Sequence, residues 1–268
     1  IRLSLVGSEM CIRDRPRTVR GFGIGVDEAG RGPVIGPLVV CALAMPMADY
    51  SILGEMGVAD SKSLTKSRRG EISRLIEIES AKRGWKIGLS ICSPERIDMN
   101  SVGSNLNILE AELFSEAIKK TVSAKTGGGI FLDACDVNQA RFGENVMSYL
   151  GNEWAGWDIT SEHRMDQSNL LVGASSIIAK ESRDLAISEL SKKLGLEIGS
   201  GYPSDPKTRR AIKELVSGTT PHDCLRWSWS TVKDAWASIH KTTAPIRSGL
   251  GGGYVQVDLL SWSDSNHK

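Results

Sequence analysis

The stretch from Gly25 to Pro33 places two adjacent carboxylates, Asp27 and Glu28, directly before a Gly30-Arg31-Gly32 turn. The apolar alternation that precedes them is typical of a buried strand. Burying two acids without a counter-charge costs several kcal/mol, so a divalent cation is the expected partner. An exposed turn has a similar composition, and the motif by itself leaves both interpretations open.

Adjacent residues of a regular strand point to opposite faces, so Asp27 and Glu28 cannot both face one site from such a strand. The neighbouring glycines favour a strand that ends or bulges here, with a backbone carbonyl as ligand as the alternative. The sequence leaves this choice open.

Two further aspartates stand at positions suited to a site. Asp133 ends a short apolar strand, where the site residues of sheet proteins often collect. Asp166 lies just before a long apolar helix, where a helix cap is the alternative role. Carboxylates without a Cys or His cluster fit Mg²⁺ or Mn²⁺.

The composition of the 268 residues, with 40% apolar and 24% charged residues and a net charge of +1, indicates an ordinary soluble globular protein. No apolar run is long enough to span a membrane. Five scattered cysteines without Cys-x-x-Cys spacing fit a reducing compartment, and we expect a cytoplasmic protein. Eight Lys/Arg against four Asp/Glu between Tyr202 and Arg247 suggest an anionic partner or a solvated helix face.

The periodicity predicts an α/β fold, with a mixed sheet flanked by helices and a helical C-terminal extension. Strands are expected at about 22–27, 36–45, 85–92, 129–133 and 156–161, the first three as an antiparallel meander. Helices are expected at about 63–83, 105–124, 138–150, 168–194, 206–216 and 230–239. Thr65 is the expected cap of the first helix, whose apolar face comprises Leu64, Ile72, Leu75, Ile76 and Ile78.

Five blocks, in order over about residues 20–240, resemble the motifs of ribonuclease HII in its archaeal form, related to the catalytic subunit of eukaryotic ribonuclease H2. They are Gly25–Pro33 with Gly36-Pro37, Asp60-Ser61-Lys62, Leu132–Asn138 with Arg141-Phe142-Gly143, Arg164-Met165-Asp166 with Ala174–Lys180, and Gly199–Pro206. The residues beside Asp166, namely Arg164, Met165 and Gln167-Ser168-Asn169, depart from the usual pattern.

The resemblance implies an RNase H-like fold and a catalytic, metal-binding site of four carboxylates: Asp27, Glu28, Asp133 and Asp166. Two Mg²⁺ or Mn²⁺ ions roughly 3.5–4 Å apart would activate a water molecule and stabilise the leaving oxyanion.

The resemblance also implies substrate contacts. Backbone groups of Gly30-Arg31-Gly32 would read the 2′-hydroxyl of a ribonucleotide in duplex DNA, and Tyr202 would stack on the neighbouring sugar. Lys62, Arg164 and Lys180 are expected to contact phosphates or balance the acids, with plain surface positions as the alternative. Asn105 would line the cleft or cap a helix, and His163 would assist proton transfer or lie exposed.

The expected organisation is a leader at 1–19 that is non-native or disordered, an RNase H-like catalytic domain at 20–200, a helical substrate-binding extension at 201–244 and a flexible tail at 245–268. In the tail, Gln256, Leu259 and Trp262 resemble a degenerate sliding-clamp-binding motif. A disordered tail without a partner is the alternative.

The expected function is therefore that of an endoribonuclease in ribonucleotide removal and DNA replication or repair. It would hydrolyse the RNA strand of RNA/DNA hybrids and incise 5′ of single ribonucleotides in duplex DNA, as a monomer. A non-catalytic hybrid-binding or clamp-associated module of the same fold is the alternative. Ribonuclease HIII is a weaker rival, since about 20 residues before Phe22 cannot hold its additional N-terminal domain. A magnesium phosphotransferase lacks the expected glycine loop.

Overall fold

A five-stranded mixed sheet, in the order β3-β2-β1-β4-β5, forms the centre of the protein. The computed structural model describes residues 21–58, 64–101 and 105–247. The strands are β1 Phe22–Ala29, β2 Leu38–Pro46, β3 Lys86–Cys92, β4 Gly128–Asp133 and β5 Trp157–Glu162. The pairs β1–β2 and β2–β3 are antiparallel, which confirms the predicted meander.

Strands β4 and β5 run parallel to β1. The carboxyl ends of these three strands therefore meet at one edge of the sheet. Asp27 lies near the end of β1 and Asp133 is the last residue of β4, so the topology brings both aspartates to this edge.

Helices cover both faces of the sheet and build the C-terminal part. They are α1 Tyr50–Glu55, α2 Lys66–Arg83, α3 Pro94–Asn100, α4 Leu106–Lys119, α5 Gln139–Leu150, α6 Met165–Ser168, α7 Leu170–Leu194, α8 Pro206–Leu215 and α9 Ser230–His240. Short 3₁₀ turns lie at Met47–Asp49, Ala124–Thr126 and Asn152–Trp154.

Because successive side chains of a strand point to opposite faces, each strand contributes residues to the cores on both sides of the sheet. Ile24 and Val26 of β1 belong to the core that includes α4 and α5. Cys41 and Leu43 of β2 belong to the opposite core, which includes α2 and α7. A third core joins α8 and α9 to the loop after β1 and to α7. The predicted C-terminal extension thus packs on the loop that carries the glycine-rich motif.

Several sequence predictions were wrong in detail. Leu75 and Ile78 are 36% and 40% exposed, because α2 lies at the surface and buries only a narrow stripe that includes Ile72 and Ile76. The helix predicted at 105–124 ends at Lys119, and a separate turn capped by Ser123 follows. The pattern analysis did not identify α1 and α3, because each is only six or seven residues long.

The helix predicted at about 168–194 is present as α7, which begins two residues later, at Leu170. Asn169 is extended, with φ −127° and ψ 116°, and its side chain accepts hydrogen bonds from the amides of Leu171 and Val172. It therefore caps α7, and α6 is a separate short helix before it. The predicted Thr65 cap of α2 is present, accepting from the Arg68 amide.

Lys62, the clamp motif Gln256, Leu259 and Trp262, and the leader 1–19 lie outside the described residues. The domain boundaries stay predictions. Among the helices that the structure describes, none is long and apolar enough to cross a membrane.

Candidate metal centre

Three predicted carboxylates converge at the carboxyl edge of the sheet. One side-chain oxygen each of Asp27, Asp133 and Asp166 lies within 4.8 Å of the others. Asp27 is buried on β1, Asp133 ends β4 and Asp166 lies in the first turn of α6. Three hard oxygen ligands at this spacing suit a divalent cation such as Mg²⁺ or Mn²⁺.

Glu28, the next residue of β1, belongs to a second group of acidic and thiol side chains, but its carboxyl group also hydrogen-bonds to that of Asp27. The strand pairs regularly with β2 as far as Ala29, so the expectation that it ends or bulges at Asp27 was wrong. Glu28 shares the face of Val26 and comes within 4.8 Å of Glu110 and Cys135. The Cys135 thiol donates to the Glu28 carboxylate at 3.2 Å.

The electrostatics of the two groups are linked across the strand. Burial, together with the charges of Glu28 and Asp133, raises the pKa of Asp27 well above its ordinary value. Burial likewise raises the pKa of Asp133, with Asp166 adding to the effect, and burial also raises the pKa of Glu28. Burial is the largest cause for all three groups, so the protein solvates their charged forms poorly.

Within the described ranges, no Lys or Arg forms an ion pair with Asp27, Asp133 or Asp166. Uncompensated carboxylates this close together repel one another. The residues present thus fit a bound cation, which would supply the charge that the described side chains do not.

Helix α7 supports Asp27 from one side of the sheet. The Lys180 ammonium donates to the Ser176 hydroxyl at 2.7 Å, and the Ser176 hydroxyl in turn lowers the pKa of Asp27 by hydrogen bonding. The Ser175 hydroxyl donates to the carbonyl of Gly25 at 2.8 Å. Lys180 therefore balances the acidic group through Ser176.

The chain before α6 orients Asp133. The Met165 amide donates to Asp133 Oδ1 at 3.2 Å. Arg164, immediately before it, adopts the left-handed conformation with φ 59°. Its exposed side chain lies beside a surface cleft next to Asp133. A non-glycine residue in this conformation costs of order 1 kcal/mol and is enriched at functional sites.

The Gly30-Arg31-Gly32 turn lies beside the Glu28 group. The Arg31 guanidinium pairs with the buried carboxylate of Glu110 and donates to Asn107 Oδ1 at 2.7 Å. A Cβ at Gly32 would lie 3.5 Å from the ring of Tyr202, so the turn and that ring share one surface. Tyr202 is 40% exposed, and its ring lies 5.2 Å from the Arg183 guanidinium.

Two predicted residues have structural partners. Asn105 caps α4, its side chain accepting from the Ile108 amide at 3.1 Å. The exposed His163 ring lies 3.2 Å from the Ala134 carbonyl and 3.3 Å from the Val137 carbonyl. His163 thus packs against the backbone that follows β4.

Four residues around the site were not identified from the sequence: Asn107, Glu110, Arg183 and Arg226. Glu110 had a detectable signal, since it is a charged residue on the helix face that Leu106, Leu109 and Leu113 define as apolar. The other three have partners far away along the chain, and no local motif marks them.

The mixed sheet, with acidic residues at its carboxyl edge, has solved neighbours of the RNase H-like class. The ribonuclease H2 of Pyrococcus horikoshii OT3 matches with a TM-score of 0.71 and 34% identity, covering 82% of this chain and 100% of that one. Ribonuclease HII of Archaeoglobus fulgidus, solved in complex with PCNA, matches with a TM-score of 0.67 and 35% identity. The match covers 78% of this chain and 95% of that one. Bst-RNase HIII, solved with Mn²⁺, shares the fold with a TM-score of 0.69 at 19% identity. The match covers 83% of this chain and 71% of that one.

Sequence comparison narrows this class to one family. The ribonuclease HII family model matches residues 24–232. Ribonuclease HII of Methanocella arvoryzae is 42% identical over 210 residues, which cover 78% of this chain and 88% of that protein. The chain therefore belongs to the ribonuclease HII family of endoribonucleases, and the predicted resemblance is confirmed.

Proposed function

We propose that this protein hydrolyses the RNA strand of RNA/DNA hybrids and incises 5′ of single ribonucleotides in duplex DNA. The products would carry a 3′-hydroxyl and a 5′-phosphate. The observation that carries the proposal is the convergence of Asp27, Asp133 and Asp166, which form no ion pair with a Lys or Arg of the described residues. The Gly30-Arg31-Gly32 turn, which Tyr202 contacts, follows Asp27 closely in the chain.

Asp27, Asp133 and Asp166, with Glu28 hydrogen-bonded to Asp27, would hold Mg²⁺ or Mn²⁺. Two such ions, when bound, supply an activated water molecule and stabilise the leaving oxyanion. The Mn²⁺ complex of a ribonuclease HIII of the same fold supports this choice of ions.

The chain's own residues would position this chemistry. Ser176 holds the Asp27 carboxylate, and the Met165 amide holds Asp133. Arg164 and Lys180 would contact the phosphates of the cleaved strand, while Lys180 also donates to Ser176. Lys62 remains a predicted phosphate contact, and Asn105 a predicted cleft residue besides its role as a cap.

Recognition of the ribonucleotide would depend on close approach to the turn. Gly32 is exposed and carries no side chain, so a sugar can reach its backbone. The 2′-hydroxyl is the group that distinguishes RNA from DNA. Tyr202, half exposed beside Gly32, would stack on the next sugar and so sense the junction.

The decisive test is the cleavage of a labelled DNA duplex with one ribonucleotide, in Mg²⁺, Mn²⁺ or EDTA. Asp133→Asn should reduce incision by at least about 100-fold, because metal-ion stabilisation is worth several kcal/mol and about 1.4 kcal/mol corresponds to a factor of ten. Asp158→Asn, which removes an exposed carboxylate from neighbouring β5, is the control and should stay active.

Each other outcome has a distinct meaning. Cleavage of continuous hybrids alone would keep the nuclease but contradict the junction role of Gly30-Arg31-Gly32 and Tyr202. Tight binding without cleavage by the wild-type protein would contradict the proposed reaction.

We also propose that Gln256, Leu259 and Trp262 dock the chain on a sliding clamp. The ribonuclease HII of Archaeoglobus fulgidus, which was solved in complex with PCNA, favours this assignment. Calorimetry with the clamp should show binding by the full chain and at least tenfold weaker binding after Gln256, Leu259 and Trp262 are replaced by Ala. Equal affinities would contradict the proposal.

A further inference from the structure

Arg226 is fully buried and donates hydrogen bonds only to backbone carbonyls of the glycine-rich segment. Its Nη2 donates to the Gly30 carbonyl at 2.6 Å, and its Nη1 donates to the Arg31 carbonyl at 2.9 Å. Nε and Nη2 both donate to the Gly36 carbonyl at 3.2 Å. One planar guanidinium thus binds three carbonyls across one turn.

This arginine has no carboxylate partner among the described residues, although a buried guanidinium normally has one. Burial and the nearby charge of Arg183 lower the pKa of Arg226 to about 10. All four hydrogen bonds of the guanidinium go to carbonyls of the loop after β1. The contact is therefore specific to the turn rather than part of a general ion-pair network.

Neighbouring backbone bonds fix the guanidinium relative to the turn. The Gly36 amide donates to the Cys224 carbonyl at 2.9 Å, and the Arg226 amide donates to the Val34 carbonyl at 3.0 Å. The Trp229 ring lies 5.1 Å from the guanidinium. Both backbone and side-chain hydrogen bonds thus connect the segment before α9 to the loop after β1.

The hydrogen bonds to the carbonyls also determine the direction in which the amides of the turn point. In a trans peptide the C=O and the following N–H point in opposite directions. Because the carbonyls of Gly30 and Arg31 point inward to Arg226, the amides of Arg31 and Gly32 point away from it. Neither amide donates to another described residue.

We propose that Arg226 is a positioning residue that holds the amides of Arg31 and Gly32 toward the ribonucleotide. This inference rests on the proposed function, in which that turn reads the 2′-hydroxyl. Arg226 does not touch the substrate; it acts through the turn.

The test compares affinities for two duplexes that differ only in one ribonucleotide or deoxyribonucleotide, measured by fluorescence anisotropy in EDTA so that no incision occurs. Arg226→Lys keeps the charge but cannot bind three carbonyls at once. It should reduce the ribonucleotide preference, the ratio of the two Kd values, at least fivefold. The Kd for the all-DNA duplex should stay within twofold of the wild-type value.

Arg247→Lys is the matched control. The side chain of Arg247 is also buried in the C-terminal part and donates to the carbonyls of Asp223 and Leu225. It pairs in addition with the carboxylates of Asp98 and Asp223, and it donates no hydrogen bond to the turn. It should destabilise the fold without changing the ribonucleotide preference. An unchanged preference in folded Arg226→Lys, or an equal loss in Arg247→Lys, would overturn the role of Arg226.

Two further measurements keep the test decisive. If Arg226→Lys does not fold, Trp229→Leu removes only the ring beside the guanidinium and should reduce the preference about threefold. An unchanged preference there would overturn the proposal. A wild-type protein without any ribonucleotide preference would instead contradict the substrate proposal itself.

Discussion

At the scale of single residues, the burial of Asp27 opposes folding in the absence of metal. Its pKa lies well above the ordinary value of 3.8, so the folded protein binds this proton more tightly than the unfolded chain does. The free energy of unfolding therefore falls as pH rises from about 4 through the raised pKa, and the penalty is fully present above it.

We expect Asp27→Asn to stabilise the metal-free protein while abolishing incision. In EDTA at pH 8 its Tm should exceed that of the wild type by at least about 2 °C, since about 1 kcal/mol shifts Tm by about 2–4 °C at this chain length. The difference should vanish near pH 4. Thermal unfolding at both pH values tests this, with the exposed Asp158→Asn as control; a variant less stable at pH 8 would contradict it.

At the scale of elements, the contact between β1 and α7 brings Ser176 and Lys180 to the acidic group. A Cβ at Gly25 would come within 2.4–2.6 Å of backbone atoms of Leu171 and Val172. Backbone atoms cannot move aside as the end of a side chain can. The absence of a side chain at Gly25 therefore sets the distance between the strand and the helix.

Gly25→Ala should push α7 away from β1 and cost about 1–3 kcal/mol, the usual range for overpacking. Incision should fall as well, because Asp27 would lose the hydrogen bond of Ser176. Denaturant unfolding and the cleavage assay measure the two effects. Gly156→Ala, at a position where an added Cβ meets nothing within 4 Å, is the control. Equal stability of the two variants would show that α7 adjusts freely.

At the scale of the whole molecule, Asp98 joins the C-terminal part to the sheet domain. The carboxylate is buried on α3 and accepts hydrogen bonds from the Trp227 amide at 2.8 Å and the Ser228 amide at 2.9 Å. It also accepts from the Ser228 hydroxyl at 2.6 Å and from Arg247 Nε at 3.1 Å. The bonds to Trp227 and Ser228 anchor the segment that carries Arg226.

Asp98→Ala should therefore cost about 3–5 kcal/mol, the range for breaking a buried ion pair. Asp223→Ala is the matched control, because Asp223 pairs with the same arginine but its side chain is 87% exposed. An exposed pair contributes about 0–1 kcal/mol. Denaturant unfolding compares the two variants, and a similar small loss in both would exclude Asp98 as an anchor.

The sequence by itself determined the strands and most helices, because each depends on a local period or cap. It also identified the carboxylates near the end of β1, at the end of β4 and in α6, because the order of motifs can be read directly from the chain. The sequence left open how Asp27 and Glu28 could serve one site, and in the structure their carboxyl groups hydrogen-bond to each other although the strand is regular.

Only the tertiary structure decided which face each carboxylate occupies and which partners it meets. Glu110, Arg226 and Asp98 form bonds with residues about 80 to 200 positions away along the chain. No local pattern encodes such a pairing, because it arises when separate elements pack against one another. The residues that hold the site in position can therefore be found only in the folded structure, whereas the metal-binding chemistry can be predicted from the types of the residues.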